Sequence, residues 1–331
     1  MRNIVLVTSE VIDDANLARL SAVASVCSSR KLDERSLLKI LPNVDALVVF
    51  FWPGFLTSEN LARMKRLRFI QSVLVGVNHF PYHDLRAGIV IASNAGAYSL
   101  EVGEHAWALL LAAAKKVVAD SKRLADGAIS FAEFSGEARD IVVLKGKTLG
   151  IIGYGGIGAT VAGYARAFGM NVLAYGRNKR RIRGVEYLRG SKGLASLLKQ
   201  SDAILLSVPL NRSTQHLIGK RQLAIMKKHT ILVNVARGDL VDQEALYGHL
   251  TANPRFTYAT DVFWAKSGRE SLETDYKFQA LPNFIGTPHM SGPTGIVSGT
   301  PATSAVDNVL RFFTGKRPKN LVDRSDYLEA V

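Results

Sequence analysis

Short β-branched and aliphatic runs alternate along this chain with stretches whose apolar residues recur at helical spacing. Ile4 to Thr8, Ala46 to Phe50 and Phe69 to Val73 read as strands, with Leu17 to Val23 and Ser58 to Met64 as helices between them. Such βα alternation predicts a parallel sheet covered on both faces. The pattern breaks at Ser99 to Lys116, where Val102, Ala106, Leu109, Leu110 and Ala113 keep helical spacing over a longer stretch than any before it, as a connector between domains would. A Gly- and Ala-rich polar stretch, Asp126 to Arg139, precedes a second βα series that begins at Lys147 and runs to about Ile285. Thr294 to Phe313 forms another long helical pattern before a polar tail carrying Lys316, Arg317 and Lys319.

Composition narrows the class. With 331 residues, 47% hydrophobic and 21% charged, the chain can bury two cores and is no disordered tail protein. Its longest apolar run, Ala106 to Ala114, falls short of the roughly 20 residues that cross a bilayer, so no membrane association is expected. Met1 to Glu10 reads as an opening strand and not as an export signal. The single cysteine, Cys27, offers no disulfide framework and suits a reducing compartment, which places the protein in the cytoplasm. An excess of 42 Lys and Arg over 28 Asp and Glu gives a net charge of +14 and favours anionic partners. Zinc-finger spacings, RNP-type aromatic motifs and basic low-complexity tails are absent, so nucleic acid is not the expected partner. His79 and His83 flank Pro81 without a third ligand, and no metal site is expected.

The sharpest local signal is Gly153-Tyr154-Gly155-Gly156-Ile157-Gly158, preceded by an apolar run from Thr148 and followed by an amphipathic stretch, Ala159 to Phe168, and a second strand, Asn171 to Tyr175. In that setting Gly153 permits a tight turn, Gly155 lets the backbone approach a pyrophosphate, and Gly158 permits close helix-on-strand packing, with the helix N-terminus toward the anion. Selectivity for the adenosine ribose is set at the end of the second strand, where a carboxylate would accept from a 2′-hydroxyl. Gly176 stands there, followed by Arg177, Asn178, Lys179, Arg180, Arg181 and Arg183. Guanidinium groups bind a 2′-phosphate that a carboxylate would repel, which favours NADP(H) over NAD(H). A solvated basic loop is the plainer alternative.

Two further segments, Asn234-Val235-Ala236-Arg237-Gly238-Asp239-Leu240-Val241-Asp242 and Thr287-Pro288-His289-Met290-Ser291-Gly292, give the whole a specific resemblance. With the glycine loop, Ser93-Asn94-Ala95-Gly96, Glu101 to Ala106, Ser207-Val208-Pro209-Leu210 and Asp261-Val262-Phe263, in this order and spacing, the chain resembles the D-isomer-specific 2-hydroxyacid dehydrogenases. The resemblance implies an α/β fold of two Rossmann-like domains with a cleft between them. Residues 1–98 and 292–331 would form a discontinuous, flavodoxin-like substrate domain, and 99–291 the dinucleotide-binding domain. It also implies a homodimer and a cofactor lined by Val208, Pro209, Thr214, Val235, Ala236, Asp261 and Ser291 as well as the glycine loop.

The chemistry of such an enzyme needs a cation for the substrate carboxylate and carbonyl oxygen, and a proton donor for the developing alkoxide. Arg237, just after the strand Ile231 to Asn234, and His289 fit these roles. By resemblance, backbone N–H groups of Val75 and Gly76 receive the substrate carboxylate, and Asp261 contacts the nicotinamide carboxamide. Trp52 either lines the substrate pocket or caps the small domain's core, and His105 makes a structural hydrogen bond. One departure matters: the family's histidine partner, a Glu five residues after the aspartate of the Asp-Val-Phe turn, is replaced by Lys266. Glu270 or Glu273 could reach the histidine through a rearranged loop, leaving Lys266 to solvent or to an anionic substrate. The expected reaction is reduction of a small 2-oxo acid such as glyoxylate or hydroxypyruvate to its D-2-hydroxy acid. Alternatives are an NAD-dependent D-lactate or D-3-phosphoglycerate dehydrogenase, or a non-catalytic, corepressor-like dinucleotide sensor.

Overall fold

Val5, Leu6 and Val7 are fully buried although they are consecutive in one strand, which a sheet covered on only one face could not accommodate. In the computed structural model, which describes residues 2–9, 11–127, 141–177, 181–266, 269–292 and 299–328, the chain divides into two compact units: 1–98 with 293–331, and 99–292. The first opens with β1 (Ile4–Val7), α1 (Asp14–Ser21), β2 (Ser25–Ser28), α2 (Glu34–Ile40), β3 (Ala46–Val49), α3 (Ser58–Arg63), β4 (Phe69–Ser72) and β5 (Val90–Ala92). These strands pair in parallel in the order β2-β1-β3-β4-β5, the flavodoxin-like arrangement. Each helix starts at a side-chain cap: Asp13, Asp33 and Thr57 accept the N–H groups of Asn16, Ser36 and Asn60. The Asp13 cap starts α1 ahead of the expected Leu17 to Val23 span, because a cap and not the first apolar residue fixes where a helix begins.

The second unit carries α4 (Ser99–Lys115), α5 (Val117–Ala125), β6 (Thr148–Ile152), α6 (Gly156–Ala167), β7 (Asn171–Tyr175), β8 (Glu186–Leu188), α7 (Gly190–Gln200), β9 (Ala203–Leu206), α8 (Lys220–Ile225), β10 (Ile231–Asn234), α9 (Gln243–Ala252), β11 (Thr257–Thr260), a hairpin of β12 (Ala265–Lys266) and β13 (Arg269–Glu270), and β14 (Phe284–Gly286). Seven parallel strands run in the order β14-β11-β10-β9-β6-β7-β8. Counted within the unit this is the 3-2-1-4-5-6 Rossmann order plus one strand, with the order reversing at β6. The core is a continuous cluster that includes Leu197, Leu198, Ile204, Leu232, Leu246, Phe256, Tyr258 and Phe278.

The chain returns to the first unit in α10 (Gly299–Phe313), whose Ala302, Ala305, Val306 and Val309 share a core with Val5, Val7 and Phe69. Phe312 stacks on Phe69 at 4.6 Å between ring centroids, and the buried amide of Asn308 donates to Gln71 Oε1 at 2.8 Å. No helix among the described residues is long and apolar enough to cross a membrane.

Candidate active site

Strands β6, β7, β9, β10, β11 and β14 end on one edge of the second unit's sheet, and the loops that leave these ends carry the sequence-derived site residues of that unit. The turn after β6 has φ +101° at Gly153, a left-handed conformation that costs any other residue steric strain. A Cβ there would lie 2.7 Å from the Ser207 carbonyl, and one on Gly158 would lie 2.5 Å from the Gly153 oxygen. Helix α6 therefore seats directly on the turn. At Gly155, the N-cap of α6, a Cβ would meet nothing within 4 Å. The open backbone at a helix N-terminus fits the pyrophosphate of a dinucleotide, which the N–H groups of Gly156 and Ile157 would hold, while the Gly155 N–H donates to the Gly153 carbonyl at 3.0 Å. Ser207 donates to the Gly153 carbonyl at 2.8 Å and brings Val208 and Pro209 beside the glycine turn, and Thr214 closes that loop by donating to Pro209 O at 2.7 Å. Tyr154 is half-buried there and Arg177 is exposed just past β7; Asn178 and Lys179 lie outside the described residues.

The loop after β10 is built around Asn234, a fully buried amide. It donates to the carbonyl of Arg237 at 2.9 Å and to the Tyr258 hydroxyl at 3.1 Å, while its oxygen accepts from Ala236 N–H at 3.1 Å. Satisfied on both sides, it fixes the curl that presents Arg237, whose Nη1 donates to Ala236 O at 2.6 Å. Val235 is buried beneath the curl and Ala236 half-buried. At Gly238 a Cβ would overlap the backbone of Phe263 and Trp264, so the Arg237 loop and the turn after β11 touch main chain to main chain. Burial raises the pKa of the Asp239 carboxyl; the Ala265 N–H it accepts at 3.3 Å opposes that rise and the nearby Glu270 adds to it.

Asp261 organises the third loop. It is fully buried; its Oδ1 accepts from the Thr287 hydroxyl at 2.6 Å and Met290 N–H at 3.0 Å, and its Oδ2 from Ser291 N–H at 2.9 Å. His105 of α4 reaches the same cluster, with Nε2 2.9 Å from Thr287 Oγ1 and 3.5 Å from Asp261 Oδ1. Between the residues so pinned, His289 is held at φ +50°, a strained conformation for a side-chain-bearing residue. Its imidazole is 44% exposed, and its Nδ1 lies 2.6 Å from Glu270 Oε2. The other Glu270 oxygen accepts from Phe263 N–H at 2.7 Å. Lys266, at the position where the resemblance expects the carboxylate, is exposed and pairs with Glu273 at 3.1 Å. The hairpin explains the exchange: Ala265 pairs with Glu270 in antiparallel register, which carries Glu270 back to the turn.

A family model described as the NAD-binding domain of D-isomer-specific 2-hydroxyacid dehydrogenases matches residues 107–291. The chain belongs to this family. Members of the D-isomer-specific 2-hydroxyacid dehydrogenases are oxidoreductases that act on CH–OH groups, and their cofactor is a nicotinamide dinucleotide. The chain is 33% identical to D-3-phosphoglycerate dehydrogenase of Methanocaldococcus jannaschii, over 96% of this chain and 59% of that longer protein. It is 34% identical to glyoxylate reductase of Aeropyrum pernix, over 80% of this chain and 78% of the relative. Among solved structures it is similar to the TT0316 protein of Thermus thermophilus, with a TM-score of 0.73 and 31% identity, covering 97% of this chain and 100% of that one.

In this dehydrogenase the remaining sequence-derived residues lie in the first unit. The loop after β4 is tied by Ser72, whose hydroxyl accepts from Leu74 N–H at 3.1 Å and donates to Leu74 O at 2.9 Å. Asn94 braces it through a 2.9 Å bond to Val73 O, leaving Val75 exposed and Gly76 half-buried at the tip. Trp52 packs on Phe80 at 5.0 Å and spends its indole N–H on Leu56 O at 3.1 Å, so it caps that unit's core. The neighbouring Phe51 is the exposed aromatic. Sequence reasoning passed over Asn234, Asn94 and Ser72 as individual residues. The signal was present, since a short polar side chain at the C-terminal end of a buried strand needs backbone partners.

Proposed function

We propose that this protein is an NADPH-dependent reductase of small 2-oxo acids of the glyoxylate or hydroxypyruvate kind, yielding the D-2-hydroxy acid. The observation that carries the reading is the 2.6 Å contact between His289 Nδ1 and Glu270. It restores the histidine–carboxylate pair that a reading by chain position finds broken at Lys266. The bound cofactor supplies the hydride for C2 of the substrate. Arg237 holds the substrate carboxylate and draws charge onto the carbonyl oxygen, where its planar, permanently charged guanidinium acts through paired N–H groups. His289 delivers a proton from Nε2 to the developing alkoxide, and Glu270 keeps the ring oriented and its Nδ1–H satisfied while that proton leaves. Asp261, Thr287 and His105 hold the loop on which this happens. A missing carboxylate would favour a non-catalytic dinucleotide sensor, and Glu270 removes that ground.

For the cofactor, the absence of a carboxylate at Gly176 and the exposed Arg177 beside it support a 2′-phosphate. Exposed Val117, Val118 and Leu124 on α5 support a homodimer that covers them. The test is to follow NADPH and NADH oxidation separately with glyoxylate, hydroxypyruvate, pyruvate and bulkier 2-oxo acids, with His289→Ala as control. Turnover that favours NADPH and disappears in the variant supports the proposal. An NADH preference overturns the cofactor assignment, and dinucleotide binding without turnover overturns the enzymatic one.

A further inference from the structure

In a Rossmann sheet the 2′-position of the adenosine ribose is read at the end of the second strand. Here that strand is β7, ending at Tyr175, and the residue that follows is Gly176. The neighbouring strand β8 runs parallel to β7 with Ala174 opposite Tyr187 and Tyr175 opposite Leu188, and the N–H of Gly176 reaches Leu188 O at 3.4 Å. This register lays the Tyr187 ring across the end of β7. A Cβ built on Gly176 would overlap the Tyr187 hydroxyl and lie 3.3 Å from its Cζ. The phenol therefore fills the space where the first carbon of an acidic side chain would go. Tyr187 is half-buried, and among the described residues its hydroxyl has no hydrogen-bond partner. Strand alternation places the nearest carboxylate in sequence, Glu186, on the opposite face.

We propose that Tyr187 is a specificity-determining residue of the cofactor site, whose hydroxyl donates a hydrogen bond to the 2′-phosphate of NADPH while its bulk excludes a carboxylate at position 176. The inference rests on the NADP(H) reading above and adds to it a residue from the third strand, beyond the usual strand-end position. A phenol is a neutral donor at physiological pH, and a bond to a phosphate oxygen is charge-assisted, so it is stronger than the bond the same hydroxyl could make to a 2′-hydroxyl. Tyr187 and Gly176 also act as a pair. An aspartate at 176 can seat only when Tyr187 is swung away or cut back.

Equilibrium titration calorimetry with adenosine 2′,5′-bisphosphate and 5′-AMP tests this without any turnover, and repeating it with NADPH and NADH extends it to the intact cofactors. Wild-type protein is expected to bind the bisphosphate more tightly than AMP. Tyr187→Phe, which removes one oxygen and leaves the ring, should weaken bisphosphate and NADPH binding about 10-fold or more and AMP and NADH binding less than about threefold. Gly176→Asp combined with Tyr187→Ala should bind NADH more tightly than NADPH, whereas Gly176→Asp alone should bind both poorly. If wild type prefers the bisphosphate and Tyr187→Phe keeps the full preference, Tyr187 is not the determinant although the NADP(H) reading stands. If wild type shows no preference for the 2′-phosphate, the NADP(H) reading fails and the proposal falls with it.

Discussion

Replacing Glu270 by glutamine removes charge and one acceptor while keeping shape, and the structure sets the size of the effect. Both carboxylate oxygens are in use, Oε1 accepting from Phe263 N–H at 2.7 Å and Oε2 facing His289 Nδ1 at 2.6 Å. An amide offers one acceptor and one donor group. If its oxygen keeps Phe263, its NH2 is turned on Nδ1 and the ring loses the acceptor for Nδ1–H. If its oxygen turns to Nδ1, two N–H groups confront each other at Phe263. Either way one charge-assisted bond is lost, worth about 1.5–3 kcal/mol. With the imidazole 44% and the carboxylate 29% exposed, solvent screening puts the loss in the lower part of that range, about 1.5–2 kcal/mol. At about 1.36 kcal/mol per tenfold, kcat for 2-oxo acid reduction should fall roughly 10- to 30-fold. KM should hold within about twofold, because Arg237 is untouched and the loss is felt as the proton moves. The assay is steady-state oxidation of the reduced cofactor with kcat and KM resolved, alongside thermal melting to show that the fold is intact. A kcat within about twofold of wild type, with an unchanged melting temperature, would refute the reasoning. So would full rescue of Glu270→Gln by Lys266→Glu, since it would place position 266 against the ring.

Three other perturbations probe the supports of the site. Lys266→Glu alone should change kcat less than about twofold and stability by less than about 1 kcal/mol, because among the described residues the Lys266 side chain makes only an exposed ion pair, with Glu273; the same kinetic and melting assays check it. Gly238→Ala should cost about 1–3 kcal/mol, roughly 2–4 °C of melting temperature per kcal/mol, because the atoms its Cβ would overlap are the main chain of Phe263 and Trp264, which cannot rotate away. Its kcat should fall too, because the displaced turn carries the Glu270 hairpin. Burial lowers the pKa of His249, whose Nε2 is buried and without a partner among the described residues. The unfolded chain thus takes up a proton on this ring near pH 6.5 and the folded one only at lower pH, so the stability it permits above about 6.5 is lost as pH falls through the window below. His249→Leu should be at least as stable as wild type at pH 7 and lose less stability between pH 7 and 5.5, read by urea denaturation at the two values.

What the amino-acid sequence disclosed divides along a physical line. Strands such as β7 and β10 were legible to the residue, because a parallel strand buried on both faces must be a continuous apolar run. β2, Ser-Val-Cys-Ser at a sheet edge and half-buried throughout, carries no such run and was not. The glycine turn was legible because its constraints are local: a positive φ at Gly153 and no room for a Cβ at Gly158 are properties of the backbone a few residues around. The histidine's partner was open to two candidates, Glu270 and Glu273, because their placement depends on hairpin pairing and not on residue type. The observed register of Ala265 with Glu270 decides it, and it leaves Glu273 to Lys266. The proposed proton transfer demands an oxygen at hydrogen-bond distance from Nδ1, anchored firmly enough to stay there. It makes no demand on how many residues separate that oxygen from Asp261. Here the Phe263 N–H supplies the anchor and the hairpin supplies the reach, so a lysine can stand at the expected position while the carboxylate arrives from four residues further along the chain.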